Sequence, residues 1–221
     1  MTDTQTTTYQ TSRSPEAVAA IEATPALESG SAVRPATAME TDQTIDTLVL
    51  AFAEDPAVRW VFPEADAYLR WFGPFIRAFG GAAFESGGAL VDAGHRGAAL
   101  WLPPGVEPDG EALVALLERS LPADRLRTMH EVLALMDHYH PHEPHWYLPL
   151  IGVEPAHRGG GIGSALLAAA LERCDRDGRP AYLEATSPRN ARLYLQCGFE
   201  VIGTIQAGDF PAMWAMVRPA R

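Results

Sequence analysis

The residues most capable of chemistry lie together between 151 and 170, in the run IGVEPAHRGGGIGSALLAAA. Here an apolar strand leads through Glu154-Pro155-Ala156-His157 into Arg158-Gly159-Gly160-Gly161-Ile162-Gly163, and an apolar helix follows. Glycines let consecutive backbone N–H groups approach an anion closely, and the helix N-terminus adds positive potential. Arg158 can add a charge-assisted contact. Spacing separates the ligands that use this device. A P-loop requires a lysine after its last glycine, and none stands here. The dinucleotide fingerprint G-x-G-x-x-G, started at Gly159 or Gly161, puts Ser164 or Leu166 where its third glycine belongs. Both patterns fail.

The pattern that fits is [QR]-x-x-G-x-[GA], filled by Arg158, Gly161 and Gly163. With the preceding V-x-P strand and the following amphipathic helix, this segment resembles the pyrophosphate loop of the GNAT superfamily of acyl-CoA-dependent N-acyltransferases. Downstream, PAYLEATSPRNARLYLQCGF (180–199) matches the superfamily's Y-x-x-x-G-F ending at Tyr194, Gly198 and Phe199. The phrases AALWLPPG (98–105), PHEPHWYLPLIGVEP (141–155) and PAYLEATSPRN (180–190) are similar to a branch that includes puromycin N-acetyltransferase. The similarity spans about residues 33–218 and identifies a branch, not a substrate.

The resemblance implies direct transfer of acetyl from acetyl-CoA to the primary amine of a small molecule in a ternary complex. It assigns cofactor contacts to Ile151, Val153, Arg158, Gly159, Gly160, Gly161, Ile162, Gly163, Ser164 and Asn190. Backbone N–H groups between Leu150 and Val153, freed where the strand splays from its neighbour, are expected to polarise the thioester carbonyl. Tyr194 matches the family's general acid, which protonates the departing thiolate. Glu184 is a candidate base because a carboxylate interrupting an apolar strand is costly unless it is used or paired. Glu143, His145 and Tyr147 stand where some family members keep their base. Trp60, Phe62, His145 and Tyr147 are the candidate acceptor-binding residues. A peptide N-acetyltransferase and a non-catalytic acyl-CoA-binding domain are the alternatives on the same fold.

The histidine-rich run Asp137–His145 invites a metal reading. Its two prolines break any helix that would display ligands four apart, and H-E-x-x-H spacing is absent. No metal is expected.

The elements that must position these residues form a mixed α/β chain with a mostly antiparallel central sheet. Residues 1–31, rich in Thr, Ser, Ala and Glu without periodicity, are expected to be a disordered tail, leaving 32–221 as one domain. A short strand at 33–37 precedes a helix through Ile45, Leu48, Val49 and Phe52, which Asp55-Pro56 should end. An irregular aromatic stretch, 57–63, then leads to a helix through Tyr68, Leu69, Phe72, Ile76 and Phe79. A hairpin at 89–102, helices near 109–120 and 122–137, and strand 146–153 follow. Pro149 inside that strand marks an edge, a bulge or a splay. Helix 161–177, strand 181–186, helix 188–196 and strands near 199–205 and 213–218 complete the order.

Composition bounds the partners. The chain has 221 residues, a formal net charge of -11 and scattered arginines, so no nucleic-acid footprint is expected. No apolar run approaches a membrane span, and the N-terminus lacks a signal-peptide pattern. Cys174 and Cys197 sit in apolar stretches, as buried reduced thiols would. The expectation is a cytoplasmic monomer or homodimer.

Overall fold

Seven strands in the order β1-β2-β3-β4-β5-β7-β6 make one sheet in the computed structural model, which describes residues 32–221. The expected tail, 1–31, lies outside the described residues. The strands are β1 (Val33–Pro35), β2 (Ala89–Asp92), β3 (Gly97–Leu102), β4 (Trp146–Val153), β5 (Ala181–Ala185), β6 (Glu200–Ile205) and β7 (Met213–Arg218). Every neighbouring pair is antiparallel except β4–β5. The fold class expected from sequence is the one observed.

Both faces of the sheet are covered, which is why β2 and β3 are buried along their whole lengths. On one face lie α1 (Thr41–Ala51), α2 (Pro56–Val61), α3 (Ala65–Gly80), the single turn α4 (Ala82–Glu85), α5 (Gly110–Ser120) and α6 (Ala123–Tyr139). Leu48, Phe72, Ile76, Leu117 and Val132 pack there against Leu100 and Leu102. On the other face α7 (Ile162–Asp177) and α8 (Pro188–Gln196) bury Leu166, Leu167, Leu171 and Cys174 with Trp101, Leu183 and Phe199. Cys174 is buried, Cys197 is partly buried, and both are free thiols.

Two local readings are corrected. The stretch 57–63 is not irregular: Asp55 caps α2, its Oδ1 accepting from the N–H groups of Ala57 (3.0 Å) and Val58 (3.1 Å), with Pro56 at the first helical position. Asp-Pro both follows one helix and starts the next. Leu69 was expected on the buried face of α3 but is 72% exposed; Tyr68 and Phe72, four apart, carry that face instead.

Pro149 marks a bulge and a splay together. Leu102 pairs with Tyr147, whereas Leu100 pairs with Leu150, so β4 spends one more residue than β3 over this span. The extra residue shifts the alternation. Leu148 faces the α7 side, yet both Leu150 and Tyr147 face the α3 side. Pairing of β4 with β5 stops at Leu148↔Leu183. Beyond that point β5 continues against β7 alone, and β4 from Pro149 to Val153 keeps only β3.

Candidate active site

The splay opens a groove of about 690 Å³. Its floor is Ile151, Gly152 and Val153 of β4; its walls are the N-terminal turn of α7, one side of α8 from Arg189 to Gln196 and the end of α1. Gly161 caps α7 with φ 80°, a left-handed conformation that favours glycine and leaves the first N–H groups of α7 open to the groove. Gly152 allows the end of α1 to approach, since a Cβ there would sit 2.6 Å from Ala51 Cβ.

Arg158 ties this rim together. Its Nη2 donates to the Ala51 carbonyl (2.8 Å), its Nε to the Val153 carbonyl (3.3 Å), and its Nη1 lies 3.5 Å from Glu54 Oε2. Of the residues expected at the cofactor, Ile151, Val153, Arg158, Gly159, Gly161, Ile162, Gly163, Ser164 and Asn190 line the groove, and Gly160 does not. The groove suits an acyl-CoA. It offers a strand edge without a partner among the described residues for an amide-bearing chain, a helix start without acidic residues in its first turn, and Arg158, Arg189 and Arg192 for phosphates.

Tyr194 also lines the groove, projecting from α8 and packed edge-on against Phe199 with ring centroids 5.9 Å apart. Burial raises its pKa, and the negative charge of Asp55 raises it further, so the phenol stays protonated near neutrality. In the sequence Asp55 reads only as a helix terminator. It stands at the groove with Oδ1 capping α2, while Oδ2 accepts from the Thr186 hydroxyl (2.5 Å), which in turn accepts from Asn190 Nδ2 (3.5 Å). Burial pushes the Asp55 carboxyl up; the Thr186 hydroxyl, the N–H groups of Val58 and Ala57 and the Arg158 charge oppose this without cancelling it.

A second cavity, about 90 Å³, opens on the opposite face of the splay. Phe52 lines both cavities, and β4 passes from Leu150 in the second to Ile151 in the first. Phe62 lies on its wall. Trp60, His145 and Tyr147 line neither cavity. Trp60 packs edge-on with Phe210 at 5.1 Å, under the Arg125 guanidinium.

His145 and Tyr147 belong instead to a cluster with Glu184, which likewise lines neither cavity. The Tyr147 hydroxyl donates to Glu184 Oε2 (2.9 Å); Oε1 is inaccessible and unpartnered. His140 and His145 meet through their Nε2 atoms at 3.0 Å, and the His140 ring stacks edge-on against Tyr147 and Tyr182. Burial and the neighbouring His145 push His140 down to about 4. Among the described residues, no group of three or more His, Cys, Asp or Glu is placed to hold a metal ion.

Burial pushes the Glu184 carboxyl up to about 7 from an ordinary value near 4.5, partly offset by the Tyr147 and Tyr182 phenols, the latter without a hydrogen bond of standard geometry. Between those values the folded chain holds a proton that the unfolded chain has released. Its contribution to stability is therefore full below pH 4.5 and is lost as pH rises toward 7, by up to about 3 kcal/mol. His140 acts in the opposite sense over part of this window, so the comparison must be with Glu184→Gln. Denaturant unfolding from pH 4.5 to 7 should show wild-type stability falling relative to the variant. Parallel curves would contradict a buried, proton-holding Glu184.

A profile described as the acetyltransferase (GNAT) family matches residues 90–199. Among solved structures, a Corynebacterium glutamicum ATCC 13032 protein described as histone acetyltransferase HPA2 and related acetyltransferase is similar at TM-score 0.62 and 29% identity, over 87% of this chain and 98% of its own. Arylalkylamine N-acetyltransferase 2 from Aedes aegypti gives TM-score 0.61 at 11% identity, over 87% and 100%. Drosophila melanogaster polyamine N-acetyltransferase gives 0.57 at 18%, over 85% and 99%. The two insect proteins share the fold.

Proposed function

The chain belongs to the GNAT acetyltransferase family and is an acetyl-CoA-dependent N-acetyltransferase; from this premise we propose that it acetylates the primary amine of a small molecule by direct attack in a ternary complex. The observation that carries the reading is the meeting of two cavities at one splay, with Asp55 and Tyr194 in the groove and Thr186, bonded to Asp55, on the wall of the second cavity.

Bound acetyl-CoA would supply the thioester. Asp55, made more basic by burial, removes a proton from the substrate ammonium and leaves a lone pair free to attack. The N–H groups of β4 beyond Leu148 face the carbonyl that gains negative charge as the C–N bond forms. Tyr194 gives its proton to sulfur as the C–S bond breaks, and the nitrogen's second proton passes to the resulting phenolate, which completes the amide and restores the acid. Arg158, Gly161, Ile162, Gly163 and Ser164 hold the pyrophosphate. Glu184, behind the cavity walls, has no contact with the acceptor in this reading. The three similar phrases at 98–105, 141–155 and 180–190 support placing the chain in the puromycin N-acetyltransferase branch.

Acetyl-CoA is expected to raise the melting temperature, since a ligand at 100 times its Kd stabilises a fold by about 2.7 kcal/mol. Arg158→Glu should remove most of that shift, because a carboxylate would face the phosphates while the Ala51 tie is lost. Absence of a wild-type shift at millimolar acetyl-CoA would refute the donor site.

A further inference from the structure

The second cavity differs sharply from the groove in what its wall can bind. Among the described residues, Thr186 is the only one on it with a polar side chain. Phe62, Phe75 and Phe79 close one side, and Met129, Leu133 and Met136, recurring on one face of α6, close another. Among the described residues, no charged side chain stands on the wall. Its polar end is fixed where the Thr186 hydroxyl meets Asp55, at the boundary with the groove. A molecule spanning both cavities would therefore place an amine at Asp55 and everything beyond it among apolar groups. A second ammonium, a guanidinium or a carboxylate carried into that space would be desolvated without a partner. Methionines at positions 129, 136 and 213 let the wall adapt to different apolar shapes.

We infer that the acceptor is a primary monoamine whose remaining body is a small apolar group, alkyl or aryl, seated among Phe62, Phe79, Leu133, Met136 and Leu150. The inference rests on the proposed amine acetylation and narrows its acceptor. It also separates this chain from an enzyme of diamines or guanidino-amines, although the fold is shared with a polyamine N-acetyltransferase. The net charge of -11 concentrates cations of every kind near the surface, whereas the cavity wall selects among them.

The test uses a matched pair, pentylamine and 1,5-diaminopentane, which have the same chain length and differ by one terminal ammonium. Wild-type protein is assayed for thiol release from acetyl-CoA with each, and with 2-phenylethylamine. The expected kcat/KM is about 100-fold higher for both monoamines than for the diamine, since an unpaired buried charge is poorly tolerated. Met136→Glu, which sets a carboxylate on the wall, should narrow that ratio at least tenfold while keeping the melting shift with acetyl-CoA. Should this variant fail to fold, the wild-type ratio decides alone. Equal or better turnover of the diamine overturns the inference and leaves amine acetylation standing. A strong preference for hexanoyl-CoA over acetyl-CoA with one amine also overturns it, because the cavity would then hold the acyl chain. If acetyl-CoA raises the melting temperature yet no amine in a broad panel is acetylated, both the inference and the proposed reaction fall.

Discussion

Tyr194→Phe is expected to lower turnover about 100-fold or more while leaving the melting shift with acetyl-CoA close to that of the wild type. The substitution removes one oxygen and little else. The ring keeps its edge-on contact with Phe199, and the apolar environment that raises the phenol's pKa accepts phenylalanine without cost. What disappears is the only proton that Tyr194 can offer to the departing sulfur. Because burial and Asp55 keep the phenol protonated, the wild type should have the acid in its working form throughout the neutral range. Steady-state rates at saturating acetyl-CoA, with calorimetry for binding, check both halves. Unchanged turnover would remove Tyr194 as the acid; loss of binding as well would show that it serves the donor site instead.

Asp55→Asn is expected to cost about 10²–10⁴-fold in turnover, the range for loss of a positioned proton acceptor. Asparagine can still cap α2 through its side-chain oxygen, and its amide can donate to Thr186, so the fold should survive. Asp55→Ala would lose the cap too, at about 1 kcal/mol, and is the less informative variant. The pH profile supplies an independent sign. A base must be deprotonated, and the Asp55 carboxyl is held above its ordinary value, so the wild-type rate should fall on the acid side at a higher pH than an exposed aspartate would give. That limb should vanish from the residual activity of Asp55→Asn. An unchanged acid limb would assign it to another group, Glu184 first, since its carboxyl is also raised.

Residues 158–163 could be read from sequence because an anion site at a helix start is local: one strand end, one loop and one helix turn determine it. Tyr194 was likewise within reach, four residues ahead of Gly198 in a motif of fixed spacing. Asp55 was not. Its proposed role rests on a contact with Thr186, 131 residues away, and its immediate neighbours show only a turn before proline. Glu184 drew notice as a carboxylate in an apolar strand, but the strand pattern could not show that Tyr147 of the adjacent strand would take up that oxygen. Trp60 and Phe62 stand together in an aromatic stretch, yet of the two only Phe62, just past the end of α2, reaches the cavity wall. The cavity itself had no sequence signal, because its wall is assembled from α2, α3, α5, α6 and β4, and each apolar residue reads simply as core.

The bulge in β4 makes chain length, rather than residue identity, the critical quantity at its centre. Proline at 149 is one of several residues that could occupy a position with no ladder bond to give. Deleting it would let the strand zip continuously along β3 with Leu150 through Val153 on the faces they already occupy, since Leu100 and Leu150 pair on the same side, and would remove the kink at which β4 leaves β5. Such a chain would keep every motif named above and lose the opening between β4 and β5. A search for working relatives should therefore count the residues between Tyr147 and Ile151 before it compares them.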